Sequence, residues 1–322
     1  RRSSLFAHGE SMRWLTAGAL VVAVAMIVGL LAFVAANGFP TFWPGEVVTV
    51  RLDDGATHMG EASTVDSYVV SEATANAATE ESRARVVAAA AENDGRATRR
   101  LLRVGNFDVT GEHYRWIEDW KVVEESRPEW ALVVERETWG RFYGEPVAFI
   151  KDGEPFATGP EAAFQAFEAE HEATRERLER RRAVEKSDIG ALNDAVRALD
   201  LEARRAALDH GAASTEARDA LEKAARARAD AEPKIAAFRK RVAELDAENG
   251  RYGLAMRTAS GVEKTLPIAD VVRAYPANRL SFGARLAVYF DRWREFLVEE
   301  PREANTEGGI YPALFGTVVM TL

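Results

Sequence analysis

A run of 23 uncharged residues near the N-terminus, Trp14 to Ala36, constrains this chain more than any other feature. As a helix the run would be about 35 Å long, which exceeds the roughly 30 Å hydrocarbon core of a bilayer. A secretory signal peptide has a shorter apolar stretch, of roughly 7–15 residues, before its cleavage site. The sequence therefore predicts a transmembrane helix over residues 14–36.

The charges that flank this run predict its orientation. Arg1, Arg2 and Arg13 precede it, whereas the first cation after it is Arg51. Cytoplasmic flanks carry the excess of Lys and Arg, so we expect residues 1–13 in the cytoplasm and the body of the chain outside. In a bacterium the outside is the periplasm, an oxidising compartment with which the absence of cysteine agrees.

A second uncharged run, from Ile310 to Leu322, is about 20 Å long as a helix and would cover two-thirds of the bilayer core. We expect residues 309–322 to be a truncated second transmembrane helix and the chain to be the first part of a multi-spanning protein. The net charge of −9 argues against nucleic acid as a partner and against a polybasic lipid-binding surface.

Residues 44–159 have the pattern of a β-rich unit, in which short apolar runs alternate with Gly and Pro turns. This spacing predicts a small β-barrel or sandwich, and we expect the five tryptophans from Trp43 to Trp139 to fill its core. Residues 71–100 are Ala-, Glu- and Arg-rich, and the part around Arg83 to Ala91 fits either a helix or a strand. The predicted strands are 47–52, 68–70, 100–104, 114–117, 120–123, 129–135 and 149–150.

Residues 160–249 change to a helical period that begins at Pro160 and is interrupted once, at His210 to Ser214. Apolar residues recur at alternating steps of three and four on both sides of that turn, so we predict an antiparallel coiled-coil hairpin. Residues 179–188 break the rhythm, and we expect a phase shift there. The stripes are Ile189, Leu192, Val196, Leu199, Ala203 and Ala206 on the first arm, and Ala217, Leu221, Ala224, Arg228, Ala231, Ile235, Phe238, Val242 and Leu245 on the second.

The chain after the hairpin predicts two more pieces. Residues 250–279 contain strands that return to the β unit. Residues 280–300 form an amphipathic helix, which we expect to lie in the membrane interface; packing on the β unit is the alternative. Its apolar face comprises Leu286, Tyr289, Phe290, Trp293, Phe296 and Leu297, and its charged residues Arg285, Asp291, Arg292 and Glu295 are expected elsewhere.

A search for chemistry predicts no catalytic, metal or cofactor site. No two of the five histidines, His8, His58, His113, His171 and His210, share a metal-ligand spacing. A phosphate-binding loop of the Walker type and a Gly-x-Ser-x-Gly elbow are both missing. The cluster Arg175, Arg177, Arg180, Arg181 and Arg182 has Glu172, Glu176 and Glu179 at helical spacing, which predicts a salt-bridged face.

Two terminal segments resemble PstA, the permease family of phosphate ABC transporters. The stretch from Glu300 to Thr317, EPREANTEGGIYPALFGT, is similar to the entrance of that family's second transmembrane helix. Residues 9–15, together with Asn37-Gly38 and Phe42-Trp43-Pro44, resemble the first span of long proteobacterial members. Those members carry a large insertion between the first two spans, as this chain does.

The resemblance implies an α+β membrane protein of the bacterial inner membrane that imports phosphate without a catalytic site of its own. It implies as partners a second permease subunit, cytoplasmic ATPase subunits and a periplasmic phosphate-binding protein, and it assigns no phosphate-contacting residue. Two other classes share parts of the layout. A membrane-anchored periplasmic adaptor of an efflux or secretion system also has one N-terminal span, a β unit and a helical hairpin, and a receptor would pair an outer sensing domain with signalling helices.

Overall fold

The computed structural model describes residues 10–71, 73–74, 79–299, 301–302 and 309–321. The protein is an α+β chain with an apolar N-terminal helix and two antiparallel sheets. It divides into two compact units, one made of Arg1–Gly45 with Leu280–Leu322 and the other of Glu46–Arg279. Part of the predicted cytoplasmic N-terminus, residues 1–9, lies outside the described residues, as do 303–308 of the family-like stretch and Leu322.

The first sheet contains five strands in the order β4-β3-β2-β1-β5. Helix α2 is inserted between β2 and β3, and a 3₁₀ turn at Asp119–Lys121 joins β4 to β5. The elements are β1 (Val47–Leu52), β2 (Thr57–Val69), α2 (Glu80–Glu92), β3 (Arg96–Arg103), β4 (Tyr114–Glu118) and β5 (Val122–Ser126), and α1 (Glu10–Gly38) precedes them.

The second sheet has the order β10-β9-β7-β6-β11, and β8 pairs with β7 beside this path. A 3₁₀ turn at Ile268–Asp270 joins β10 to β11. The strands are β6 (Leu132–Arg136), β7 (Arg141–Lys151), β8 (Glu154–Thr158), β9 (Tyr252–Arg257), β10 (Glu263–Pro267) and β11 (Val271–Pro276).

The two sheets repeat one design. If β6, β7, β9, β10 and β11 are read as first to fifth strands, both sheets have the order 4-3-2-1-5 with a 3₁₀ turn between the fourth and fifth. We call residues 47–126 the first repeat and residues 132–276 the second repeat. The shared order shows that the unit Glu46–Arg279 contains the same five-stranded module twice.

The strand registers of the two repeats also agree. Glu61 lies opposite Arg103 in the first repeat, as Glu145 lies opposite Arg257 in the second. The bulge that follows falls at corresponding places, between Ala62 and Thr64 and between Pro146 and Ala148. The first and fifth strands pair with a bulge at corresponding places too.

Each repeat carries its insertion at the same point, between the second and third strands. In the second repeat this insertion is long: β8, α3 (Pro160–Ala183), a π-helical turn (Val184–Ile189), α4 (Gly190–His210) and α5 (Thr215–Asn249). Both insertions are held by matching contacts. Arg85 of α2 donates to the Val122 carbonyl at 2.9 Å, and His171 of α3 donates to the Val271 carbonyl at 2.9 Å.

The inserted helices form an antiparallel pair that we call the helical arm (residues 160–249). Ion pairs cross it at Arg181–Asp246, Arg228–Asp200 and Lys223–Glu202. The π turn adds a residue to one helical turn and so shifts the apolar stripe, as expected for residues 179–188. The stripe is buried or half-buried from Ile189 to Ala206, but Leu221 is exposed. The coiled-coil assignment of this pair stays a prediction.

Each sheet has a core of its own, and the small barrel or sandwich expected for residues 44–159 stays a prediction. The second sheet packs against α3, whose Phe164 and Phe167 belong to its core, and the first sheet has a separate cluster of its own. The prediction that five tryptophans fill a β core is wrong. Of the five, only Trp120 is buried, while Trp116 lies on the sheet surface beneath the Arg99 guanidinium, 4.4 Å from its ring.

The predicted strands agree in part with those of the structure. The ambiguous stretch around Arg83 is helical, and β8 and β11 were not predicted individually. The predicted strand 120–123 is divided, because Trp120 belongs to the 3₁₀ turn and β5 begins at Val122. Of the return strands predicted in residues 250–279, β9 pairs with β7 and β10 pairs with β9.

Gly144 gives a direct test of the repeated register. A Cβ at this position would lie 2.6 Å from the Arg257 carbonyl oxygen, and one at Gly60 would meet the Arg103 carbonyl in the same way. We expect Gly144→Ala to destabilise residues 46–279 by about 3 kcal/mol, since the obstacle is backbone. Gly190→Ala, in a helix with ordinary contacts, should be neutral or stabilising by up to ~1 kcal/mol. Urea unfolding of both variants measures this, and a Gly144→Ala effect no larger than the control would contradict it.

Candidate functional site

Helix α1 provides the first candidate functional feature, a membrane anchor. The helical segment Trp14–Phe42, which comprises most of α1 and the 3₁₀ turn after it, is long and apolar enough to cross a bilayer, and none of its apolar window is buried in the protein. Among the described residues it is the one helix that meets both criteria; α7 (Tyr311–Thr321) is apolar but has 11 residues.

The end of α1 is held by aromatic rings. The chain leaves α1 through a 3₁₀ turn, Phe39–Phe42, and packs on α6 (Phe282–Val298). The rings of Phe42 and Trp293 are 4.6 Å apart between centroids, those of Phe42 and Phe296 are 5.1 Å apart, and Trp43 lies 5.7 Å from Tyr289. We call these residues with Phe39 the aromatic cluster: Phe39, Phe42, Trp43, Tyr289, Trp293 and Phe296.

Polar contacts lie on the same side of α6 as the aromatic cluster. Arg292 Nη1 donates to the Phe42 carbonyl at 3.1 Å, and Glu295 pairs with Arg302. The Ile310 amide donates to the Phe296 carbonyl at 2.9 Å, so α7 begins beside the end of α6. The described segments on both sides of α6 are therefore attached to it.

The placement of charge on α6 corrects the sequence prediction. Arg292 and Glu295, expected away from the packed face, are only 6% and 7% exposed. The predicted apolar face is divided: Tyr289, Trp293 and Phe296 join the aromatic cluster, while Phe290 remains 60% exposed. Periodicity identifies which residues share a face, but it does not show which segment covers that face.

The two ends of the unit Glu46–Arg279, which we call the outer unit after its predicted position, meet at one side chain. Asn278 accepts a hydrogen bond from the Val47 amide at 3.0 Å and donates to the Val47 carbonyl at 2.8 Å. A second donor contact reaches the Pro128 carbonyl at 2.8 Å. The unit Glu46–Arg279 therefore begins and ends at the same place, as an insertion into another structure must.

A buried polar joint connects the two repeats. Glu61 of the first repeat accepts bonds from Arg141 Nη1 at 2.6 Å and from the Tyr143 hydroxyl at 2.8 Å. Burial and the neighbouring Glu61 carboxylate raise the pKa of Tyr143 well above its usual value, so the phenol stays a donor. Asn106 adds two bonds to the backbone of Tyr143, at 2.9 and 2.7 Å.

A second joint centres on Asp108, whose side chain is 7% exposed. Arg136 reaches it through two nitrogens at 2.8 and 3.1 Å, and Lys264 also pairs with it. Arg136 also donates to the carbonyls of Trp139 and Gly140, at 3.0 Å each, in the β6–β7 turn. Trp139 has a φ of 68°, a strained value for a bulky residue, and Arg136 fixes that turn.

The predicted arginine cluster is ion-paired, largely with partners outside its own helix. Arg175 and Arg182 both pair with Glu137, at 2.8 and 3.0 Å. Glu137 holds α3 as Asp53 holds α2 through Ser82 and Thr79 in the first repeat. Of the three predicted acidic partners, Glu176 is found on Arg180, at 3.5 Å. These cations hold the arm to the second sheet.

The histidines have separate environments. His58 contacts Arg115 at 3.2 Å, His113 stacks on Phe107, and His171 bonds to Val271, while His8 lies outside the described residues. Within the part of the chain that the structure describes, no group of three or more His, Asp or Glu residues is arranged to hold a metal ion. That the chain has no catalytic site and no cofactor stays a prediction.

Compared with protein-family models, curated proteins and solved structures, the chain matches none. The function is therefore inferred from the chain's own residues and from the resemblance of its terminal segments.

Asp108 should make the outer unit sensitive to acid. Burial acts to raise the pKa of Asp108, but hydrogen bonds from Arg136 and Lys264 outweigh it, and the net pKa is lowered. A carboxyl group whose pKa is lowered by folding stabilises the fold fully when the pH is above its unfolded-state pKa, about 3.9. This stabilisation is lost as the pH falls toward the folded-state pKa. Asp108→Asn should cost about 3–5 kcal/mol at neutral pH, because it leaves the buried Arg136 guanidinium without its counter-charge, and should flatten the stability profile below about pH 4.

Denaturant unfolding of residues 46–279 across this pH range measures both effects. Asp152→Asn is the matched control, since Asp152 forms an exposed pair with Arg251 and its loss should have little effect. An equal decrease in the free energy of unfolding in the two variants would show that Asp108 is not part of a buried joint.

Proposed function

We propose that this chain is the N-terminal part of the permease subunit of an ABC importer for inorganic phosphate. The observation that carries the proposal is the stretch from Glu300 to Thr317, which resembles the entrance to the second span of the PstA family. Within this stretch Gly309 packs against the Glu299 carbonyl so closely that a Cβ would clash. The resemblance implies a second permease subunit, ATPase subunits and a periplasmic binding protein as partners.

The layout of the chain supports this proposal. A helix able to span a membrane precedes the outer unit, an apolar helix follows it, and Asn278 joins the two ends of the unit. The cations before α1 favour an N-terminus in the cytoplasm and an outer unit in the periplasm. The uncharged runs favour α1 as a span and α7 as part of a second one, and the amphipathic pattern of residues 280–300 favours the membrane interface.

The helical arm is the part of the outer unit best suited to contact a partner. Its base is fixed by Glu137 and His171, while Leu208 at its far end is 86% exposed. The first repeat keeps its fold with the much shorter α2 at the same position, so the length of the arm is not needed for the module. We assign to the arm, as a coiled-coil hairpin, contact with the binding protein or the partner permease.

The alternative function is a membrane-anchored periplasmic adaptor. The observation that favours it is the insertion of a helical hairpin between two strands of one β module. The resemblance of residues 300–317 favours the permease, and the gene beyond the codon of Leu322 separates the two: further transmembrane segments support the permease, and a stop codon supports the adaptor.

A shortened arm tests the role of the insertion. Replacing residues 184–242 with a short Gly-Ser turn keeps the ion pair between Arg181 Nε and Asp246 Oδ1, 2.6 Å apart, at the base of the arm. In cells that lack the native gene, we expect the intact gene to restore uptake of labelled phosphate. The shortened variant should fold and reach the membrane but lose uptake and lose co-purification with the binding protein.

The matched control is Arg226→Ala, which removes an exposed ion pair with Glu222 and leaves the arm at full length; it should keep full uptake. Full uptake by the shortened variant would discard the role of the arm. If the intact gene does not restore phosphate uptake, the transport proposal itself fails.

A further inference from the structure

Helix α6 distributes its residues in a way that does not suit a water-soluble surface. Arg292 and Glu295 are almost fully buried, whereas Phe282 and Phe290 are 71% and 60% exposed. A helix that packs on a soluble core places apolar residues inward and charges outward. On α6 two of the charges lie inside, and large apolar side chains lie outside.

The helix has three sides. At about 100° per residue, Arg292, Glu295 and Phe296 lie on the inner side, which contacts the aromatic cluster and the chain after α6. Asp291 and Arg294 lie on a polar side, and both are exposed. The third side consists of Phe282, Leu286, Phe290 and Leu297, which we call the outer row; all four are exposed.

We propose that the outer row is seated in the lipid interface of the membrane that α1 crosses. Phe42, at the end of the candidate span, packs against Trp293 and Phe296 with tilted rings, and this contact holds α6 at the exit of α1. A bilayer's apolar region meets its headgroups at that exit, and amphipathic helices bury an apolar side at this depth. The tryptophans of the aromatic cluster also suit the headgroup level.

The polar contacts on the inner side of α6 attach it to the chain segments before and after it. Arg292 holds the chain that leaves α1, and Glu295 with Arg302 holds the chain that precedes α7. Helix α6, with its outer row in the lipid interface, thus holds the end of α1 and the start of α7 at one face of the membrane. This inference rests on the membrane placement in the proposed function but not on phosphate as the substrate.

Because the chain contains no cysteine, single cysteines can report its depth. The full chain is reconstituted in phosphatidylcholine–phosphatidylglycerol vesicles with an environment-sensitive dye on Leu286→Cys, Phe290→Cys or Leu297→Cys. Lipids that carry bromine near the headgroup should quench more than about half of this emission, and lipids with bromine near the bilayer centre should quench less. The matched controls on the polar side, Ala287→Cys, Asp291→Cys and Arg294→Cys, should remain unquenched.

Every other result overturns a defined part of the account. Equal quenching on both sides, or none on α6, would overturn the seating of the outer row. A dye at Ala25→Cys in α1 separates this failure from a more general one, because it should be quenched by bromine near the bilayer centre. If the dye at Ala25→Cys is quenched and the dyes on α6 are not, α1 spans the membrane but the outer row of α6 does not lie in the lipid interface. If neither is quenched, the membrane placement behind the proposed function also fails.

Discussion

The outer unit depends on one close crossing, made twice. In each repeat a glycine of the second strand lies against the carbonyl of the last residue of the third strand, too close for a side chain. These pairs are Gly60 with Arg103 and Gly144 with Arg257. A glycine permits this approach, and the bulge that follows two residues later bends the strand at the same place in both repeats. The register of the sheet and the position of the fifth strand are consistent with that crossing.

The helical arm occupies the same position in the second repeat as α2 does in the first, between the second and third strands. In both repeats the chain leaves the sheet after the second strand. The inserted helix then contacts an acidic residue just after the first strand, Asp53 or Glu137, and the carbonyl of the first residue of the fifth strand. The second repeat continues the helix outward and back before it resumes the third strand. Two buried joints, at Glu61 and at Asp108, then connect one repeat with the other, so the arm has a rigid base.

The parts of this fold that could be predicted are those whose signal is local. The uncharged run from Trp14 to Ala36 indicates its own helix, and the steps of three and four from Ile189 to Ala206 indicate the side on which α4 is buried. The repeat was missed because its counterparts share few residues. Gly60 and Gly144, Glu61 and Glu145, and Arg103 and Arg257 agree, but insertions of unequal length separate them. The inner side of α6 was missed because no local pattern shows that distant chain covers Arg292 and Glu295.

The central claim is that a chain anchored by α1 carries this duplicated module on the outer face of the membrane. A membrane-impermeant maleimide applied to intact spheroplasts tests it most directly, with cysteine placed either at Leu208, the exposed end of the arm, or at Ser4, before α1. The account predicts that Leu208→Cys reacts in intact spheroplasts and that Ser4→Cys reacts only after the membrane is broken. The reverse pattern, or reaction of both in intact spheroplasts, would contradict it.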